Sequence, residues 1–388
     1  MGNARRRGPC DSLSRQRRCV IPDGSDPQRG WRLLGRLTLP GAEQRGVDET
    51  GLRAPDPGKY LRRLATVSGV HLALILLLGS APLWLPVLAL WGVFQSGSFP
   101  ALRCFLYLTW LVACECIGLL LALVIWLRPH GSREVWLRRH YSLQSFWVGA
   151  LFAGAQRLLG IRLQVEGGDE VARGRVFLLM RHASVVDALL PELVAVRPFG
   201  LQLRYVLKRE LRISPCLDIV GDRLPNAFVH RGSSDAGPEI ARVKKLAEGL
   251  GPRDGVLLFP EGTRFTHERQ AKIRAGLEAR GDLEGLASAR RLVSVLPVQL
   301  GGVLGLMETD PGADVVICAH TGTERLTRLG DLISGAAHGA LLRVGCWRIP
   351  AESIPRDLAG RKAWLDTEWE RVDAWVRSHS GEEAVPPL

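Results

Sequence analysis

Apolar and polar positions divide this chain into three kinds of text. Residues 1–60 mix Arg-rich clusters, Arg5-Arg6-Arg7 and Arg15 to Arg18, with Pro, Gly and Asp, and hold no sustained apolar period of 2 or 3.6. They read as a disordered basic arm. From Val67 to Phe94 the chain runs VSGVHLALILLLGSAPLWLPVLALWGVF, and after a short polar turn over 95–100 a second apolar run extends from Phe105 to Leu127. Each is longer than the roughly 20 apolar residues a helix needs to cross a bilayer, so a helical hairpin is expected over 61–130. Pro82 and Pro86 should kink the first helix or split it into a re-entrant pair. Glu115 is costly near mid-bilayer unless it is protonated or paired. A hairpin lying in one leaflet is the alternative to a spanning one.

Beyond Tyr141 short apolar runs alternate with helical patterns, as in an α/β domain. Strands are predicted at Leu163–Glu166, Val176–Met180, Tyr205–Leu207 (as an edge), Ala227–Val229, Gly255–Phe259, Leu292–Val298, Asp314–Ala319 and Ala340–Trp347. Helical patterns fall near Val186–Val196, Pro238–Gly249, His267–Arg290 and Arg361–Ser378. The chain thus divides into a basic arm (1–60), a membrane hairpin (61–130), a catalytic-sized α/β domain (131–380) and a tail (381–388).

Composition narrows the classes. At 388 residues and 46% hydrophobic content the chain is too long and too apolar for a disordered tail or a disulfide-stapled peptide. Its mean hydropathy of +0.06 averages the two oily runs with a water-compatible remainder. The net charge of +12 would attract nucleic acid, anionic lipid or a phosphorylated substrate alike. The basic residues are dispersed and no aromatic-basic module appears, so no nucleic-acid partner is expected. Eight cysteines without a CxxC pair suggest a reducing compartment and no structural metal. Arg62-Arg63 on one side of the hairpin, and Arg128, Arg133, Arg138 and Arg139 on the other, direct both ends to the cytoplasm by the positive-inside rule.

Candidate chemistry follows two of the strands. Arg181-His182-Ala183-Ser184-Val185-Val186-Asp187 comes directly after Val176–Met180. Residues five apart lie about 140° apart around a helix, so His182 and Asp187 meet only if His182 sits in the turn and Asp187 in the first helical turn. An imidazole held there by a carboxylate could take a proton from a hydroxyl. Alone, the spacing is also that of a capping Asp beside an incidental His. The second candidate is Phe259-Pro260-Glu261-Gly262-Thr263-Arg264, a polar turn at the end of an apolar strand, where α/β sheets place ligands. Its bend should expose Glu261, Thr263 and Arg264. An ordinary strand-to-loop turn is the plainer alternative.

In combination these blocks say more. Between them stands Leu224-Pro225-Asn226-Ala227-Phe228-Val229-His230-Arg231, and after them Val295-Leu296-Pro297-Val298. His-x4-Asp, a block ending in Arg, Phe-Pro-Glu-Gly-Thr-Arg and an apolar block with Pro, in that order, resemble the phosphate acyltransferase superfamily of glycerophospholipid synthesis, in particular the 1-acylglycerol-3-phosphate acyltransferases. The resemblance covers residues 145–320, with a weaker likeness over 343–375 to the lysophosphatidate and lysocardiolipin acyltransferase branch. One departure is Arg181, where many members carry Asn. It should leave catalysis intact while altering hydrogen bonding or headgroup preference.

The resemblance implies a mixed central sheet flanked by helices, a glycerolphosphate acyltransferase-like α/β fold, behind the N-terminal transmembrane or re-entrant hairpin. It makes His182 the general base and Asp187 its orienting partner, with no acyl-enzyme at Ser184. Arg231 resembles the family's phosphate-binding Arg, and Glu261, Gly262, Thr263 and Arg264 resemble the block that shapes the acceptor site. Lys208 matches a basic position of the family, or is a solvated charge. Pro297 walls the acyl pocket, or merely packs. His230 is incidental. The implied reaction moves a fatty acyl group from acyl-CoA or acyl carrier protein to the hydroxyl of a lysophospholipid, 1-acylglycerol 3-phosphate giving phosphatidic acid. Glycerol 3-phosphate or another lysophospholipid as acceptor, or a non-catalytic lipid-binding membrane protein, are the alternatives. No cofactor is implied beyond the donor as substrate, and the partners are membrane lipid and that donor. The implied location is a bacterial inner membrane with the catalytic domain cytoplasmic.

Overall fold

The computed structural model describes residues 56–94, 99–129, 131–229, 237–325, 335 and 337–380. Most of the expected basic arm, the polar turn at 95–98, His230, Arg231 and the tail 381–388 lie outside the described residues.

The domain is built on a seven-stranded sheet: β1 (Arg162–Glu166), β2 (Val176–Met180), β3 (Gln202–Lys208), β4 (Ala227–Val229), β5 (Asp254–Leu258), β6 (Asp314–Thr321) and β7 (Leu341–Ile349), in the order β1-β7-β6-β2-β5-β3-β4. Neighbours run parallel except β6 and β7, whose antiparallel pairing makes the sheet mixed, as expected. Every residue of β2 is buried. Its period of two sends Phe177 and Leu179 to one core and Leu178 and Met180 to the other, so β2 is sandwiched between helical layers. The first core is closed by α6 (Gly237–Leu246), α9 (Leu300–Thr309) and α10 (Leu358–Ser380), through Val243, Leu306 and Trp369. The other is closed by the segment from Leu190 to Leu201, which ends in the single turn α4 (Arg197–Phe199).

Four expectations change on folding. β3 is longer than Tyr205–Leu207 and is no edge, because β4 pairs with it and Asn226 Oδ1 accepts the Tyr205 N–H at 2.8 Å. Leu292–Val298 forms no strand. Its backbone is bonded by side chains instead: Val293 and Ser294 N–H donate to Asp373, Leu296 N–H donates to Glu261, and Gln270 Nε2 donates to the carbonyls of Leu292 and Val293. Pro297 has no N–H with which to pair. The helix expected over His267–Arg290 breaks into α7 (His267–Ala279) and α8 (Leu283–Arg291), since Gly281 takes φ +68° and Asp282 caps the second helix by accepting from Gly285 N–H. The pattern Val186–Val196 resolves into a 3-10 turn (Val185–Leu189) and a wider π turn (Glu192–Val196).

The hairpin is α1 (Lys59–Phe94, 36 residues) and α2 (Pro100–Leu127, 28 residues), both long and apolar enough to cross a membrane. Pro82 and Pro86 do not split α1, which is one continuous helix. The two helices differ in surroundings. α1 leaves Leu72, Ile75, Leu83, Trp84 and Trp91 exposed, whereas α2 buries Cys114, Glu115, Gly118 and Ala122 against α3 (Arg133–Gly154) and α5 (Pro215–Arg223). Glu115 is paired: it accepts from Ser214 Oγ at 2.7 Å and from Cys216 N–H at 3.0 Å, so the middle of α2 is fastened to the start of α5. At the other end of the hairpin Arg62 and Arg63 donate to the buried Asp218 of α5, and Lys59 and Arg63 to Asp222. The arginines that flank the apolar run therefore serve as a dock for the domain.

Candidate active site

β2 ends at Met180, and the chain turns through 181–184 into the 3-10 turn that carries Asp187. Ser184 and Asp187 form a reciprocal cap: Ser184 Oγ accepts from Val186 N–H at 3.4 Å, and Asp187 Oδ2 accepts from the N–H groups of Ala183 and Ser184 at 2.6 Å each. That cap bends the carboxylate back toward the preceding imidazole, so Asp187 Oδ2 lies 3.1 Å from His182 Nδ1. A carboxylate only accepts, which puts the proton on Nδ1 and leaves Nε2 as the basic nitrogen of the neutral ring. Phe259, from the end of β5, stacks on the imidazole at 4.4 Å between centroids. Burial by itself would raise the Asp187 carboxyl, but His320, His182 and the Ser184 N–H outweigh it and hold it below its usual value.

Glu261 departs from expectation. The bend at Pro260-Glu261-Gly262 does not expose it; it is 1% accessible. Its Oε1 accepts the backbone N–H of His182 at 2.7 Å and its Oε2 that of Leu296 at 2.9 Å. Phe265 N–H in turn donates to His182 O at 2.7 Å. The polar turn therefore brackets the His182 peptide from behind and offers no carboxylate to a ligand. Burial pushes the Glu261 carboxyl up to about 8, against the pull of Arg181 and of the two N–H groups. Gly262 takes φ +70°, and a Cβ there would lie 3.0 Å from Gln299 Cγ, so the tight bend requires glycine.

A cavity of about 360 Å³ opens beside His182. Phe259 and Leu211 supply apolar wall, and Lys208, Glu210 and Arg264 supply charge. Of the residues singled out in the sequence, His182, Lys208 and Arg264 thus share one cavity, with Asp187 directly behind. Thr263 is half-buried and is not among the lining residues. Pro297, expected to wall an acyl pocket, is half-buried next to the Leu296 N–H held by Glu261 and does not line this cavity either. Arg231 lies outside the described residues. Among those residues no group of three or more His, Cys, Asp or Glu side chains is placed to hold a metal ion.

A buried polar cluster behind the turn went unread in the sequence. Arg181 is 2% exposed, and its guanidinium donates to His320 O at 2.7 Å and Ser294 O at 3.0 Å and pairs with Glu324. It does not line the cavity. Arg181 and His320 are separated by 139 positions, and no local pattern joins them.

With this geometry in view, residues 162–281 match the Acyltransferase family. The matched segment spans β1 to the end of α7 and includes both the His182 turn and the Glu261 bend. Among solved structures it is similar to the 1-acyl-sn-glycerophosphate (LPA) acyltransferase PlsC from Thermotoga maritima, with a TM-score of 0.49 and 17% identity, covering 74% of this chain and 97% of that one. No curated protein matches the sequence.

Proposed function

We propose that the chain transfers a fatty acyl group from an acyl thioester, acyl-CoA or acyl carrier protein, to the free hydroxyl of a lysophospholipid, with 1-acylglycerol 3-phosphate as acceptor and phosphatidic acid as product. The single observation that carries the reading is the 3.1 Å contact between His182 Nδ1 and the buried Asp187, at the wall of a cavity that also presents Lys208 and Arg264. His182 Nε2 takes the hydroxyl proton as the oxygen attacks the thioester carbonyl. The tetrahedral intermediate then collapses, the C–S bond breaks, and the imidazolium returns its proton to the departing thiolate. Asp187, kept anionic, stabilises the imidazolium between the two transfers. Lys208 and Arg264 are the cations that hold an acceptor phosphate, Arg264 through a planar guanidinium suited to two oxygens, and Arg231 is proposed to join them.

Two further features agree with a lipid acceptor. The cavity is of headgroup size, and the exposed apolar face of α1 supports association of the chain with a membrane, proposed here as a bacterial inner membrane with the domain on its cytoplasmic side. Washed membranes or purified protein given labelled acyl-CoA and 1-acylglycerol 3-phosphate should yield labelled phosphatidic acid on lipid chromatography, and H182A should yield none while remaining folded. Labelled product from H182A, or no product from the wild type with any lysophospholipid or glycerol 3-phosphate offered, overturns the assignment.

A further inference from the structure

Behind Asp187, on the side away from the cavity, stands a second imidazole. His320 is the penultimate residue of β6 and is fully buried. Its Nε2 lies 2.8 Å from the carbonyl oxygen of Arg181 and 3.7 Å from Asp187 Oδ2, and its Nδ1 lies 3.2 Å from Thr323 Oγ1. Both neighbours of Nε2 are acceptors, so Nε2 carries the hydrogen, and in the neutral ring Nδ1 accepts the Thr323 hydroxyl. The contact is reciprocal: the His320 side chain holds the backbone of Arg181, while the Arg181 side chain holds the backbone carbonyl of His320 at 2.7 Å. The peptide so gripped is the one that leads into His182. Charged and titratable groups around His320 are Asp187 and His182 from the turn, Arg181 from the end of β2, Glu324 beyond β6 and Glu261 from the bend after β5.

We propose that His320 is a positioning residue of the acyl transfer: its Nε2–H fixes the Arg181 carbonyl and faces the Asp187 carboxylate, and thereby sets the orientation of His182 without touching substrate. The inference rests on the acyltransferase reading above. Loss of one buried N–H bond that faces a carboxylate corresponds to roughly tenfold or more in a rate that depends on that alignment. The effect belongs in kcat, since none of these atoms lines the cavity where the acceptor binds.

The test compares two substitutions of similar bulk. H320Q keeps an amide N–H near the position of Nε2, whereas H320M fills the volume without a donor. The expected result is kcat for H320Q within about threefold of wild type, kcat for H320M lowered roughly tenfold or more, and acceptor KM unchanged in both. Equal kcat for the two, or a fall in H320M that appears in KM alone, overturns the proposal, because packing would then explain the residue. Should H320M not accumulate as folded protein, T323V decides. It removes the hydroxyl that donates to Nδ1 and anchors the far side of the ring, and a fall of about threefold in kcat supports the proposal while a wild-type kcat overturns it. H182A run alongside separates the two levels. An active H182A or an inactive wild type overturns the parent assignment and this inference with it, whereas an active wild type, a dead H182A and an unaffected H320M overturn this inference only.

Discussion

Two buried, highly charged regions lie on either side of the segment 208–213, and they are built differently. The His182 turn takes its bonds mainly from backbone N–H groups and from neighbours within five residues: Asp187 accepts from Ala183, Ser184 and His182, while Glu261, Phe265 and His320 reach the turn from afar. The hairpin dock is assembled almost wholly from long-range ion pairs, Asp56, Lys59, Arg62 and Arg63 against Arg212, Asp218 and Asp222. One region aims a single imidazole and the other fastens two large pieces together. The segment between them serves both, with Lys208, Glu210 and Leu211 facing the cavity while Arg209 and Arg212 reach Asp56 in the dock. A precise local cap is suited to chemistry that tolerates little displacement. A multidentate cluster of charges tolerates small shifts, and suits a joint.

Substitutions should separate the two. The largest expected effect is on activity: D187N keeps the shape of the turn but deprives the imidazole of its anionic partner, and should lower kcat roughly 10² to 10⁴-fold, read by acyl transfer to a labelled acceptor, with little change in thermal unfolding. D218A should do the reverse. It leaves Arg62 and Arg63 facing a lost acid whose side chain was fully buried, and should cost about 3 kcal/mol of stability, the low end for a broken buried pair because the arginines remain 24% and 21% exposed. Unfolding of detergent-solubilised D218A would show it, while kcat of the folded fraction stays near wild type. If D218A instead abolished kcat at full stability, the division between the two regions would be wrong.

A smaller effect is expected at the cavity. K208A and R264A should each raise acceptor KM about tenfold with kcat largely kept, on the energy of one charge-assisted bond, and a panel of phosphate-free acceptors should be insensitive to both. The smallest effect concerns pH. The folded Glu261 carboxyl titrates near 8, and its ordinary value is 4.5. Between those values the folded chain holds a proton that the unfolded chain lacks. The stability linked to this site is therefore full below about 4.5 and is lost as pH rises through about 8. E261Q should flatten that slope in thermal unfolding measured across this window, at the expense of one of the two N–H bonds. An unchanged slope in E261Q would mean that Glu261 is already ionised in the fold.

How much could be read beforehand followed the range of the interactions. β2 and β4 appear at the residues their apolar runs announce, and the His182–Asp187 contact forms by the route its spacing required, His in the turn and Asp in the first turn of helix. Glu261 was legible as a motif residue and misread in direction, because whether a turn carboxylate faces solvent depends on what approaches it, here the N–H groups of His182 and Leu296. Leu292–Val298 has the apolar content of a strand, but the polar side chains of Asp373, Gln270 and Glu261 took its backbone bonds. The helix α9 was missed for the opposite reason. Gly301, Gly302 and Gly305 lower its intrinsic propensity, yet they let it approach Ile240, Val243 and Lys244 of α6 closely.

The amino-acid order by itself determined what is periodic or local: two long apolar helices, the strands with a period of two, and the turn in which an imidazole meets a carboxylate five residues on. Tertiary structure alone decided which strands became neighbours, that the middle of α2 is bound to α5, that Glu261 turns inward, and that Arg181 and His320 grip each other across the sheet. The reason is physical. Periodicity and capping are settled by atoms a few residues apart, whereas strand order, burial of a charge and the pairing of distant side chains depend on which surfaces pack together, and that is a property of the whole chain.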